Sequence, residues 1–137
     1  MLTWDDRFSV KVTVIDEQHK QLFGSARRFS EAMQRNESRE AFAELLGFLI
    51  EYGKMHFQTE EAIFLQCGYE AAASHIEQHQ LFLDIVQGFK LRFESDDLIV
   101  AAEVVHFLEN WLVEHVTTSD QRYVPCLTAQ GLTKPSS

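Results

Sequence analysis

The sequence of 137 residues predicts an all-α protein, an up-down-up-down antiparallel four-helix bundle with an extended N-terminal arm. Proline and glycine are scarce, at 2 and 6 residues, so long segments carry no turn signal. Apolar residues recur at spacings of three and four in four segments of about twenty residues, as in amphipathic helices. Short polar stretches join these segments, which places consecutive helices antiparallel.

The chain begins with an arm, residues 1–16, in which apolar and polar residues alternate. Alternation is typical of a strand, but a lone strand has no partner, so we expect an extended segment that packs across the helices. The first helix is expected over about 17–36, with Asp16 as its N-cap. The second helix is expected over about 39–65, and Gly68 is a plausible stop signal after it.

Two further helices complete the predicted bundle, over about 70–93 and 97–117. Polar turns at 36–38 and 95–97 separate the helices, and a polar C-terminal tail is expected to fray. The whole chain, 1–137, is expected to form one domain. Its expected parts are the arm 1–16, the bundle 17–120 and the tail 121–137.

Charge and composition exclude several classes of function. The formal net charge of −9 argues against binding to nucleic acid and to anionic membrane surfaces. No segment approaches the roughly 20 apolar residues of a membrane span, and the N-terminus does not resemble a signal peptide. Cys67 and Cys126 are too few for a disulfide framework, so we expect free thiols and a cytoplasmic protein.

The histidines carry the functional signal of this sequence. Five of the six lie on the core-facing stripes of the predicted helices, and they come from all four helices: His19, His56, His75, His79 and His115. A single such residue is most simply a hydrogen-bonded core histidine. Five together would leave several unpaired nitrogens in a dry core, each costing about 1–3 kcal/mol. In an antiparallel bundle all five meet at one end, which favours a metal site.

Two carboxylates accompany the histidines. Glu60 lies four residues after His56, about 40° away on the same helix face, whereas the neighbouring Glu61 is expected to be an ordinary solvated residue. Asp120 lies five residues after His115, about 140° away in an ideal helix. It can act as a ligand only if the helix widens at its end, and on its own a solvated aspartate is the simpler interpretation. His106 is half a turn away from His115 and is expected to face outward.

The donor set indicates which metal such a site would hold. Five imidazoles and two carboxylates exceed the four ligands of a tetrahedral zinc site. Calcium and magnesium prefer oxygen ligands. Imidazole and carboxylate ligands in the core of a helical bundle suit iron, and seven ligands suit two iron ions.

These residues resemble the hemerythrin family, and most closely its single-domain bacterial members. The similarity covers about residues 4–127 and rests on four motifs and a following Tyr123: Asp16–Phe23, His56–Glu61, His75–His79 and Trp111–Asp120. All seven ligand positions of the family are filled. The chain departs from many bacterial relatives after the second helix, where Tyr69-Glu70 stands in place of Tyr-Pro. This departure concerns the shape of a loop and not the ligands.

The resemblance implies a hemerythrin-like bundle that binds dioxygen reversibly at a non-haem di-iron centre. His75, His79 and His115 would saturate one iron, and His19 and His56 would bind the other, leaving an open position. Glu60 and Asp120 would bridge the two irons together with an oxo or hydroxo group, and dioxygen would be held as a hydroperoxide on the open iron. The family's apolar dioxygen pocket matches five positions that are otherwise simple core residues: Leu22, Phe57, Trp111, Leu112 and Val116.

Alternative functions remain open at this stage. Oxygen storage, delivery or sensing is the leading interpretation, with no catalytic residue assigned and a monomer expected. A di-iron enzyme that reduces dioxygen, peroxide or nitric oxide could use the same ligands with a different proton supply. A sensor would act through a separate protein partner. A simple metal store would not need the complete set of seven ligands.

Overall fold

The fold is a bundle of four long helices, seen in a computed structural model that describes residues 2–95 and 101–133. The four helices are α1 Thr13–Gln34, α2 Arg39–Cys67, α3 Ala72–Glu94 and α4 Ala101–Glu114. Helix α1 packs against α2 and α4, and α2 packs against α3. Ring contacts from Phe82 of α3 to Phe107 and Trp111 close the bundle between α3 and α4. The predicted all-α four-helix fold is therefore confirmed.

The turns between helices follow local sequence signals. Ser38 caps α2, because its side chain accepts a hydrogen bond from the backbone N–H of Ala41. Gly68 ends α2 in the left-handed conformation, at φ 69°, which glycine adopts without steric cost. The expected turn at 95–97 and the expected start of the fourth helix at 97 fall largely in residues 96–100, outside the described residues.

The N-terminal arm differs from the expected extended segment in two ways: a 3-10 turn over Asp6–Phe8 interrupts it, and it ends earlier. Helix α1 begins at Thr13 rather than near residue 17, and its N-cap is Val12, which makes no side-chain cap hydrogen bond. The prediction that Asp16 is the N-cap is wrong. Its carboxylate instead accepts hydrogen bonds from Val10 N–H, at 2.9 Å, and from Ser9 Oγ, at 2.6 Å. Asp16 thus ties the arm back onto the first turn of α1.

This tie should contribute measurably to stability. The free energy of unfolding of the Asp16→Ala variant is expected to be about 1–3 kcal/mol lower, because the buried N–H of Val10 would lose its acceptor. Thermal unfolding followed by circular dichroism measures the effect. Glu17→Ala is the matched control, since Glu17 is exposed and pairs only with Lys20 at the surface. Equal melting temperatures for the two variants would contradict this role of Asp16.

The segment after α4 contains short helices that the sequence analysis did not predict, whereas the polar end expected to fray, residues 133–137, lies almost entirely outside the described residues. A short 3-10 turn over Gln121–Tyr123 leads into a fifth helix, α5, over Val124–Ala129. Tyr123 and Leu127 are fully buried, which anchors this segment to the bundle. They pack with residues of the arm, of α1 and of α2 in a second apolar cluster that includes Val10, Ile15 and Phe64.

Two apolar clusters therefore lie along the bundle. The larger one fills most of the helix interfaces, and the smaller one covers the end formed by the arm and α5. On α2 the chain passes from Phe57 in the larger cluster, through Glu60, to Phe64 in the smaller one. The polar residues of the site form a layer between these two clusters. No helix among the described residues has the length and apolar character needed to cross a membrane.

Candidate metal centre

The five predicted histidines converge at one end of the bundle. Each is at most 5% exposed. Helices α1, α2 and α3 and the turn that follows α4 supply them: His19, His56, His75, His79 and His115. The up-down order of the helices brings the start of α1 and α3 to the ends of α2 and α4, as expected. His106 is exposed and hydrogen-bonds to Asn110 on its own helix, so it lies outside this cluster.

Asp120 is fully buried among three of these histidines. Its Oδ1 atom lies 2.8 Å from Nε2 of His75 and 3.0 Å from Nε2 of His115. Its Oδ2 atom lies 3.0 Å from Nε2 of His19. The two oxygens therefore face different histidines, Oδ1 facing His75 and His115 and Oδ2 facing His19.

Glu60 occupies a matching position and is also fully buried. Its Oε1 atom lies 3.2 Å from Nε2 of both His56 and His79, and its Oε2 atom lies 3.8 Å from Nε2 of His19. The candidate ligand atoms fall into two groups, and within each group all the atoms lie within 4.8 Å of one another. Glu60, His75, His79, His115 and Asp120 form one group, and His19, His56 and Glu60 form the other.

Most of these atoms lack a hydrogen-bond partner. The orphaned atoms are Nε2 of His19, His75, His79 and His115, Nδ1 of His19, Oε1 of Glu60, and both carboxylate oxygens of Asp120. Nitrogen and oxygen approach closely but without hydrogen-bond geometry, as expected when both face a common centre. Leaving each atom unsatisfied would cost about 1–3 kcal/mol. A metal bound by imidazole and carboxylate would satisfy nearly all of them, so the residues fit an iron site.

The electrostatics of the site favour a cation. Burial and the neighbouring Asp120 charge would raise the pKa of Glu60, but His56 and His79 outweigh them and lower it. Burial would likewise raise the pKa of Asp120, yet His115 and the other close imidazoles hold it well below its usual range. Both carboxylates are therefore ionised, and their two negative charges lie in a water-poor interior.

The histidines respond to this negative charge according to their neighbours. Burial lowers the pKa of His56, and the contact with Glu60 does not offset it. In His19 burial also acts to lower the pKa, but the contact with Asp120 dominates and the net shift is upward. His79 shows the same net rise, caused by Glu60 against the effect of burial. The site thus draws positive charge, either as protons or as metal.

Two glutamines outside the cluster orient two of the histidine rings. Nδ1 of His56 lies 2.8 Å from Oε1 of Gln18, and Nδ1 of His115 lies 3.0 Å from Oε1 of Gln78. An N–H at Nδ1 that donates to such an oxygen leaves Nε2 unprotonated and free to bind a metal. Neither glutamine was assigned a role from the sequence. Each reaches a histidine 37 or 38 residues away on another helix, and no local pattern encodes that contact.

Glu61 corrects a sequence prediction. It was expected to be an ordinary solvated residue, but its Oε2 atom lies 3.1 Å from Nδ1 of His79. The side chain remains 32% exposed, so it reaches the ligand from the surface. Its position immediately after Glu60 could have indicated this contact. A residue at the edge of the helix face that carries Glu60 can reach the adjacent helix.

Tyr123 was noted from the sequence only as following the last motif. Its hydroxyl donates a 2.6 Å hydrogen bond to Oε2 of Glu60, and both groups are fully buried. Burial, followed by the charges of Glu60 and Asp120, raises the pKa of Tyr123 well above its usual value. The hydroxyl therefore keeps its proton and acts as a donor that fixes one oxygen of Glu60.

The end of α4 widens where the site requires it. Residues His115–Ser119 form a π-helical turn, and the N–H of Asp120 bonds to the carbonyl of His115 at 2.8 Å. An i to i+5 turn rotates the chain less per residue than an α-helix does, so it brings the fifth residue back to the face of the first. This turn explains how Asp120 and His115 reach the same site despite their spacing.

Apolar and aromatic side chains surround the ligands. Leu22, Leu112 and Val116 are buried, and each lies within three residues of His19 or His115 in the sequence. Phe57 stacks on His79 with ring centres 3.8 Å apart, and Trp111 stacks on His115 at 4.2 Å. These five residues belong to, or pack against, the larger apolar cluster.

The chain is similar to known proteins. The family model "Hemerythrin HHE cation binding domain" matches residues 10–127. A bacteriohemerythrin from Pseudomonas aeruginosa is 32% identical over 123 residues, covering 90% of this chain and 79% of its own. One from Methylococcus capsulatus is 28% identical over 130 residues, covering 94% and 98%. A crystal structure of wild-type hemerythrin superposes with a TM-score of 0.86 at 28% identity, covering 93% of this chain and 98% of its own.

Proposed function

The chain belongs to the hemerythrin family, and we propose that it binds dioxygen reversibly at a non-haem di-iron centre, without acting as an enzyme. The observation that supports this most is the buried cluster of five imidazoles and two carboxylates whose inward atoms lack hydrogen-bond partners. Two ferrous ions held there would supply the two electrons and the open coordination position that reversible dioxygen binding needs.

The grouping of ligand atoms suggests a role for each residue. His75, His79 and His115 would hold one iron, since their Nε2 atoms group with both carboxylates. His19 and His56 would hold the other iron, which has fewer protein ligands and an open position. Glu60 and Asp120 would help to hold both ions, because each carboxylate faces histidines of both groups.

The surrounding residues would favour reversibility. Gln18, Glu61 and Gln78 hold three rings with Nε2 inward. The apolar pocket formed by Leu22, Phe57, Trp111, Leu112 and Val116 would exclude water and protons from the open position. Keeping protons away from that position would favour release of dioxygen unchanged.

A gas-exchange experiment tests the proposal. The iron-loaded protein, reduced to the ferrous state under argon, should develop a visible absorption band on exposure to dioxygen. The band should disappear on deoxygenation and return on a second exposure, with two irons per chain. Steady consumption of dioxygen, with no reversible band, would overturn the proposal and favour a di-iron enzyme.

Metal removal should also destabilise the fold. A metal that binds only the native state stabilises that state. Once the metal is gone, the buried ligand atoms lack partners, which lowers the free energy of unfolding. We expect an iron chelator to lower the melting temperature by about 10 °C or more, a shift equal to a few kcal/mol for a chain of this size. A melting temperature that does not respond to complete iron removal would contradict a metal in the bundle core.

Tyr123 should contribute to metal retention through its hydrogen bond to Glu60. The Tyr123→Phe variant would leave one buried carboxylate oxygen without its donor, and we expect iron to be lost to a chelator about 10 to 100 times faster. Tyr69→Phe is the matched control, because it removes a hydroxyl from a neighbouring tyrosine while keeping the ring contacts of Tyr69 with Tyr123 and His75. Similar rates of iron loss from both variants would remove Tyr123 from the supporting shell.

A further inference from the structure

The two cysteines of the chain meet in the fold although they lie 59 residues apart. Cys67 is the last residue of α2 and is buried, whereas Cys126 lies in α5 and is half-buried. The Cys126 thiol lies 3.0 Å from the carbonyl oxygen of Cys67. Leu127, beside Cys126, packs with Cys67 in the apolar cluster that covers this end of the bundle. Both thiols are free.

The environments of the two thiols differ in a way that gives them different reactivity. Burial, followed by a hydrogen bond and charge from the Cys126 side chain, raises the pKa of the Cys67 thiol to about 11. Cys67 therefore stays protonated and unreactive while Cys126 is a thiol. Cys126 is the more exposed of the two residues, so we expect a small oxidant in solution to reach it first.

We propose that Cys67 and Cys126 form a redox-sensitive pair that a small hydroperoxide oxidises to a disulfide linking α5 to the end of α2. In the first step the Cys126 sulfur attacks the peroxide O–O bond, giving a sulfenic acid and one water. In the second step the Cys67 sulfur attacks the sulfenic sulfur, the S–S bond forms, and the hydroxyl leaves as a second water. The two sulfurs give up two electrons, and hydrogen peroxide is reduced to two waters.

The geometry favours the second step. Cys67 already lies against Cys126, because the Cys126 sulfur contacts the Cys67 carbonyl oxygen at 3.0 Å. A neighbouring thiol that resolves a sulfenic acid in this way protects it from further, irreversible oxidation.

The cross-link would act on the segment that supports the metal centre. Tyr123 lies three residues before Cys126, and its hydroxyl holds Glu60. A disulfide would fix α5, and with it the position of Tyr123, against α2. This link to Glu60 rests on the proposed function, whereas the disulfide itself depends only on the two cysteines.

Peptide mapping after oxidation tests the pair. The full-length, diferric protein is treated with one equivalent of hydrogen peroxide, its remaining thiols are alkylated, and the digest is analysed by mass spectrometry. We expect a linked pair of peptides carrying Cys67 and Cys126, lighter by two hydrogens and separated by dithiothreitol. The oxidised protein should melt about 5 °C or more above the reduced protein, because the link closes a long loop of the unfolded chain.

Two single variants separate the roles of the thiols. Cys67→Ser should leave the sulfenic acid of Cys126 unresolved, so that dimedone labels it, whereas Cys126→Ser should leave Cys67 reduced at the same peroxide concentration. The proposal is overturned if both thiols are still alkylated after peroxide treatment, or if only disulfides between two chains form. Equal peroxide reactivity of Cys67 with and without Cys126 would also overturn it. None of these readouts requires dioxygen binding, so their failure is distinguishable from failure of the proposed function.

Discussion

The His75→Ala variant is expected to lose most of its bound iron, whereas His106→Ala is expected to keep two irons per chain. His75 is buried, and its Nε2 atom lies 2.8 Å from the Asp120 carboxylate without a hydrogen-bond partner. Removing the ring deletes one of three nitrogens around the proposed saturated iron and leaves the buried Asp120 carboxylate with one fewer imidazole neighbour. Metal analysis of both purified variants, with helix content checked by circular dichroism, measures the difference.

His106 is a demanding control for this comparison. It lies on α4, the helix that leads directly into His115. It is the only one of the six histidines in the sequence that is not assigned to the site. Its ring is exposed and contacts Asn110. Equal loss of iron from the His75 and His106 variants would show that iron binds nonspecifically, and the assignment of the buried cluster would be wrong.

The second large effect concerns the apolar pocket. Leu112→Tyr is expected to keep both irons but to shorten the lifetime of the dioxygen-bound protein by about tenfold to a hundredfold. Leu112 is 1% exposed and lies three residues before His115, on the face of the site. A hydroxyl and any water it recruits would place a proton donor beside bound dioxygen, which favours its departure as hydrogen peroxide. One hydrogen bond to a developing charge contributes about 1.5–3 kcal/mol, which corresponds to that range of rates.

Two controls distinguish this chemical effect from a steric one. Leu112→Phe adds nearly the same bulk without the hydroxyl, so any loss of packing should appear equally in both variants. Glu109→Tyr introduces the same side chain on α4 at a half-buried position away from the site. The autoxidation rate is followed by visible absorption, with iron content measured for each protein. An unchanged rate in Leu112→Tyr, with both irons present, would show that this pocket does not protect dioxygen and would favour an enzyme.

Sequence reasoning predicted the convergence of the five histidines because two independent regularities agree. The helical period places each histidine on a core-facing stripe, and short connections make the helices antiparallel. Together these regularities bring His19 and His75, near the starts of helices, to the same end as His56 and His115. The structure confirms this convergence, whereas the role of each histidine as an iron ligand remains a proposal.

Other parts of the structure could not be derived from local patterns. The start of α1 at Thr13 was missed because Asp16 is a good N-cap residue in sequence but is used to bind the arm. The contacts of Gln18 and Gln78 join different helices, and polar residues at half-buried positions have no periodic signature. The order of α5 depends on long-range burial of Leu127 against the arm and α2, which composition alone cannot indicate.

The π-helical turn at the end of α4 can be understood as a one-residue insertion into a helix. Every side chain beyond it is displaced by one position, about 100° around the axis, relative to a continuous α-helix. Asp120, Tyr123 and Leu127, which follow at spacings of three and four, all reach the interior on this shifted register. Deleting one residue from 116–119 would therefore do more than remove a carboxylate. It would turn the whole terminal segment away from the bundle, so a single insertion sets the register of a ligand, its supporting hydroxyl and an apolar anchor at once.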